Sequence, residues 1–168
     1  MKRELLIIIF CTLKFLCFSQ KDSAKVSNHS VYLEIGGVGG YGSLNYEKNI
    51  FHKKDVSLTL RLGMSAYHLM DYRNKLNPDV LIPLLINTRY GKNHQVEFGI
   101  GETVSSIVYA NTSDYKQKRV FKLSTVFSIG YRYQKNTKGI FYRIAYTPIF
   151  EFNQYYKNWA GLSCGYSF

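Results

Sequence analysis

The sequence predicts an all-β fold, an eight-stranded antiparallel up-and-down transmembrane β-barrel preceded by a signal peptide. Three observations predict it. The first is the final stretch, Trp159 to Phe168, where Ala160, Leu162, Cys164, Tyr166 and Phe168 are apolar and Gly161, Ser163, Gly165 and Ser167 are small or polar. Strict alternation of this kind belongs to a strand whose two faces meet different solvents, and an apolar face ending on Phe is the closing-strand pattern of outer-membrane barrels. The second is that segments of similar length recur eight times between turn signals. The third is an export signal at the N-terminus.

The export signal is read in residues 1–20. Lys2 and Arg3 precede an apolar run from Leu5 to Leu13, Lys14 interrupts it, and Ser19-Gln20 lead into polar sequence. The run is short for a spanning helix of about 20 residues. Residues 21–29 are then a leader on the periplasmic side, and residues 30–168 form the barrel. Cys164 is the cysteine left after cleavage, so a disulfide framework is excluded. The formal charge of +11, with 15 Tyr and 11 Phe, could suit nucleic acid,. The basic residues are dispersed, however, and the aromatics fit interfacial girdles, so no nucleic-acid partner is expected.

The strands follow in order. The first runs from about Ser30 to Gly37 and ends in a Gly-rich hairpin turn, Gly36 to Gly40. The second, Tyr41 to Ile50, ends at His52-Lys-Lys-Asp55. The third is Val56 to Tyr67, followed by a polar loop. The fourth, Val80 to Tyr90, is apolar on both faces and contains Pro83, which cannot donate to a ladder, so a bulge is expected there. The fifth is Gln95 to Tyr109, the sixth Arg119 to Gln134, the seventh Ile140 to Phe152, and the eighth the closing strand. An even number puts both termini and the turns at 51–55, 91–94 and 135–139 on the periplasmic side. The connections at 36–40, 68–79, 111–118 and 153–158 become outer loops.

The two faces separate by chemistry. Val56, Leu58, Leu60, Leu62 and Met64 oppose Ser57, Thr59, Arg61, Gly63 and Ser65 in the third strand. The same holds in the sixth, where Phe121, Leu123, Phe127, Ile129, Tyr131 and Tyr133 oppose Lys122, Ser124, Ser128, Gly130 and Arg132. A soluble barrel would turn the apolar face inward. The Gly and Ser of the polar face suit a crowded lumen better than a solvated exterior, which favours the membrane barrel.

The polar face carries Glu34, Glu47 and Glu97 with Arg61, Arg89, Lys122, Arg132 and Arg143. An eight-stranded barrel is only wide enough for its own side chains, and buried charges must pair. These eight residues are expected to form a lumen charge network, with Glu97 and Arg132 as candidate partners on adjacent strands. A gated conduit is the alternative. His29, His52, His68 and His94 lack metal-ligand spacing. Ser65, His68 and Asp71 near the outer rim could carry acyl chemistry on lipid A, but such residues are commoner as loop polar groups. No catalytic residue, metal or cofactor is assigned.

Several stretches resemble a known family. They are Gly36-Gly-Val-Gly-Gly-Tyr-Gly-Ser-Leu-Asn-Tyr-Glu47, Ile82-Pro-Leu-Leu-Ile-Asn87, Tyr90-Gly-Lys-Asn-His-Gln-Val-Glu-Phe-Gly-Ile-Gly101, Ile129-Gly-Tyr-Arg-Tyr-Gln134, Phe141-Tyr-Arg-Ile-Ala-Tyr-Thr-Pro-Ile-Phe150 and the closing strand. Together they are similar to the uncharacterised small outer-membrane β-barrel proteins of Bacteroidota. The resemblance implies a barrel and an outer-membrane address, and brings no activity. The expectation is a monomer in contact with outer-membrane lipid, with a structural or surface-interaction role. Tyr166 and Phe168 are read as the signal to the barrel assembly machinery. A small pore and a lipid A-modifying enzyme remain the rival functions.

Overall fold

The computed structural model describes residues 27–70, 75–110, 117–135, 138–151 and 156–168. The expected signal peptide, most of the leader and Asp71 lie outside the described residues. Eight antiparallel strands close into one barrel in sequence order: β1 His29–Gly36, β2 Gly42–Lys53, β3 Val56–Tyr67, β4 Asp79–Tyr90, β5 His94–Ala110, β6 Gln117–Gln134, β7 Gly139–Glu151 and β8 Tyr156–Ser167. β1 pairs with β8 from Ser30↔Ser167 to Gly36↔Gly161, which removes both sheet edges,. Residues 27–29 belong to the barrel, since His29 opens β1 and the Ser27 hydroxyl donates to the Phe168 carbonyl at 3.1 Å.

The alternation in sequence is the alternation in space. Along β3, Ser57, Thr59, Arg61, Gly63 and Ser65 are buried, while Leu60, Leu62 and Met64 are exposed on the outside. Leu33, Ile35, Leu84, Ile86, Ile100, Ile129, Ile144 and Leu162 are exposed on the same outer surface. This inverts the soluble pattern, because polar side chains fill the interior and aliphatic ones cover the exterior. One end of the barrel carries the short turns and both described chain ends. The other carries the connections between β3 and β4, β5 and β6, and β7 and β8.

Pro83 produces no bulge. The β3–β4 ladder passes from Leu62↔Leu84 to Ser65↔Leu81 in one register, so pairing lapses at Pro83 and resumes unshifted. The ring points inward, and Gly63 opposite makes room for it, since a Cβ there would lie 2.7 Å from Pro83 Cγ. Pro148 sits in a similar lapse, between Val126↔Ile149 and Ile129↔Tyr146. The bulge that does form lies in β2, between Asn49 and Phe51.

The β1–β2 connection is where the fold departs furthest from a plain hairpin turn. Gly37–Gly39 form one 3-10 turn, and all three residues are buried. Gly36, Gly37 and Gly40 have φ of 75°, 74° and 78°, a region that side-chain-bearing residues rarely enter,. That freedom bends the connection into the barrel. Val38 then packs with Leu85 and Val126 inside the lumen, and Ile149 lies against them. The inward apolar residue of β4 is explained by this contact, because Leu85 is the floor on which Val38 rests.

Candidate functional site: the lumen ion chain

Seven of the eight charged residues expected in the lumen converge. Glu34 on β1 accepts from Arg61 Nη2 on β3 and, at 2.8 Å, from Arg143 Nη1 on β7. Arg143 also donates Nε to Glu97 on β5 and Nη2 to Ser128 Oγ at 2.9 Å. Arg132 on β6 lies 3.8 Å from Glu97 and donates Nη1 to Glu47 Oε1 on β2 at 3.0 Å. Arg89 on β4 reaches the same oxygen at 3.4 Å. The order is Arg61–Glu34–Arg143–Glu97–Arg132–Glu47–Arg89, a chain of alternating charge. All seven are buried, with Arg89 the most accessible at 8%.

Each element positions its charge by parity. Glu34, Glu47, Arg61, Arg89, Glu97, Arg132 and Arg143 all fall on inward positions of their strands. Neutral groups complete the guanidinium shells. Asn45 Oδ1 accepts from Arg61 Nε at 3.0 Å. Gln134, Ser30 and Ser167 accept from Arg132. The Arg132 guanidinium also lies 3.4 Å from the centre of the Phe141 ring, which Tyr32 meets edge-on,. Isolated charges would be costly here, whereas an alternating chain gives each interior member two opposite neighbours and each end, Arg61 and Arg89, one,.

Two expectations change. Lys122 is not in the chain. β6 is long enough that residue 122 sits near the loop end, where its amine lies over Tyr109 and 3.8 Å from Glu151. Glu97 and Arg132 do make an ion pair, but the hydrogen-bonded partner of Glu97 is Arg143, one strand further round. Gly130 stands opposite Glu97 in the ladder and puts no side chain between them.

The sequence reading missed three features. The inturned Val38 plug was hidden because a Gly-rich loop does not reveal which way it folds. Tyr32 and Phe141 occupy inward positions, and both are buried. Glu102 was also missed. It lies on the outward face of β5, where Thr125 Oγ1 donates to it at 2.8 Å. Among the expected rim residues, His68 Nδ1 meets Asp79 Oδ2 at 3.0 Å, while Ser65 is buried and faces the lumen. Among the described residues no three His, Cys, Asp or Glu gather as a metal site would require.

The loop end opens as a cup of about 380 Å³ lined by Tyr41, Tyr67, Asp79, Ser124, Glu151 and Trp159 among others, with Val38 at its base. Tyr41 stands edge-on to both Tyr67 and Trp159. Beneath Val38 the ion chain begins, because Gly37 lies directly against the Glu34 carboxylate.

No family model matches this chain, and no curated protein sequence matches it. Solved structures do match. The N-terminal β-barrel domain of Pseudomonas aeruginosa OprF aligns with a TM-score of 0.60 at 19% identity, over 86% of this chain and 100% of that one. The Yersinia pestis outer membrane protein Ail, determined in a phospholipid bilayer nanodisc, aligns with a TM-score of 0.52 at 11% identity, over 84% of this chain and 99% of that one. The likeness is one of fold, a small closed antiparallel barrel.

Proposed function

We propose that this protein is an outer-membrane β-barrel with a closed lumen and a structural or surface-interaction role. The observation that carries the reading is the continuous ion chain capped by the inturned Val38 cluster. Between them, seven charged side chains, two aromatic rings and an apolar plug occupy the bore. The aliphatic exterior suits hydrocarbon, and Ail, a barrel of similar fold, is an outer membrane protein determined in a phospholipid bilayer nanodisc. Insertion proceeds without a spanning helix, because a closed barrel satisfies its own backbone. The loop end, with its aromatic cup, faces outward and is the surface available to partners.

The test is conductance in planar bilayers, together with gel mobility before and after boiling. The expected result is a heat-modifiable band and no sustained ion current. Val38→Gly, which removes the plug's side chain but keeps the ion chain, should still give none. Steady conductance from the wild-type barrel would instead favour a small pore. A band unaffected by boiling would refute membrane insertion itself.

A further inference from the structure

The descending strands share a motif that the lumen does not explain. β2, β4 and β6 all run toward the short-turn end, and each carries Tyr-x-Lys: Tyr46-Glu-Lys48 within β2, level with the first residue of β1, and Tyr90-Gly-Lys92 and Tyr133-Gln-Lys135 at the ends of β4 and β6. In every case the tyrosine is exposed on the apolar exterior and the lysine is exposed two residues nearer the turn. Two of the three tyrosines are braced. His29 Nδ1 lies 2.6 Å from the Tyr46 hydroxyl, and the His94 ring packs on Tyr133 with centroids 5.0 Å apart. Lys53 at the end of β2, Lys54 in the turn after it and Lys138 before β7 add three exposed cations at the same end.

None of these six lysines has an ion-pair partner among the described residues. Asp55 is the one acidic surface side chain described at this end. At the loop end several cations are used internally: Lys157 holds Glu151 at 2.6 Å, Lys122 is shared between Glu151 and Tyr109, and Arg119 bonds Asn77, Pro78 and Ser106. A tyrosine ring is amphipathic and settles at the level of the lipid carbonyls, while a lysine two residues on carries its ammonium to the phosphates.

We propose that the short-turn end is a binding collar for anionic phospholipid headgroups, with Lys48, Lys92 and Lys135 as the phosphate-contacting groups and Tyr46, Tyr90 and Tyr133 as their depth anchors. The proposal rests on the membrane-barrel reading above and gives that barrel a lipid preference confined to one leaflet. A lysine near an anionic surface is worth about fivefold in association at low salt, and the effect is screened when the Debye length falls to about 3 Å at 1 M salt.

The experiment reconstitutes the full chain in phosphatidylcholine bilayers and measures the motionally restricted fraction of spin-labelled phosphatidylglycerol against spin-labelled phosphatidylcholine. The wild type should select phosphatidylglycerol several-fold at low salt and lose that selectivity at about 1 M salt. The triple variant K48Q/K92Q/K135Q should fall to near equal selection, read per heat-modifiable barrel. K118Q, which removes an exposed lysine from the opposite end, should keep the wild-type ratio. Equal selectivity in the wild type and the triple variant, or an equal drop in K118Q, overturns the collar. Absence of any restricted component with either label would mean the barrel does not reside in lipid, which is failure of the earlier reading and not of this one alone.

Discussion

Arg143 and Arg89 both carry one positive charge into the lumen, yet their loss should have unequal cost. Arg143 is the middle of the chain and donates to two carboxylates, Glu34 and Glu97, and to Ser128. Hydrogen bonds to charged groups contribute about 1.5–3 kcal/mol each. Two of them bracket the loss of about 3–5 kcal/mol typical of breaking a buried pair by removing one partner. In Arg143→Met, Glu34 keeps Arg61, but Glu97 keeps only Arg132 at 3.8 Å. Arg89 ends the chain, meets Glu47 at 3.4 Å and is partly reached by solvent, and Glu47 retains Arg132 at 3.0 Å. Arg89→Met should therefore cost less, about 1 kcal/mol, the net worth of a single hydrogen bond, because Glu47 is not orphaned. Net charge changes identically in the two variants, so the comparison isolates position in the chain. The assay is reversible urea unfolding in lipid vesicles, followed through Trp159, the one tryptophan of the sequence. Arg143→Met combined with Glu97→Gln should lose less than the sum of the single losses, because the second change removes the carboxylate orphaned by the first. If the two arginine variants agree within about 0.5 kcal/mol, or the double variant is simply additive, the chain is not a coupled unit.

Two further outcomes follow from the faces and the closing strand. Leu162 is exposed on the outer apolar face at 62%; with the proposed membrane insertion, Leu162→Arg should cost about 2–4 kcal/mol near mid-bilayer, and Leu162→Ile almost nothing, in the same unfolding assay,. Phe168 exchanges backbone bonds with His29, and Phe168→Ala leaves those bonds available while removing the ring. That variant should refold normally in vesicles but assemble less well in cells at unchanged transcript level, and wild-type assembly would show that the ring is not read by the assembly machinery.

The alternation along each strand determined most of the fold, because successive side chains leave a strand on opposite sides and a membrane barrel needs one chemistry on each. Parity alone put Glu34, Glu47, Glu97, Arg61, Arg89, Arg132 and Arg143 inside. Only closure decided who meets whom. Glu34 and Arg143 are 109 residues apart and on strands separated by β8, and their contact depends on the stagger fixed when β1 closes on β8. Lys122 has the right parity but the wrong height, since the extra length of β6 carries it to the loop end, and height within a barrel follows from strand tilt and register, which the sequence does not state. The Gly36 to Gly40 turn shows the same division. Its glycines announced unusual backbone angles, but those angles are compatible with a loop projecting outward or folding inward. The apolar seat offered by Leu85 and Val126, on strands distant in sequence, selected the inward one.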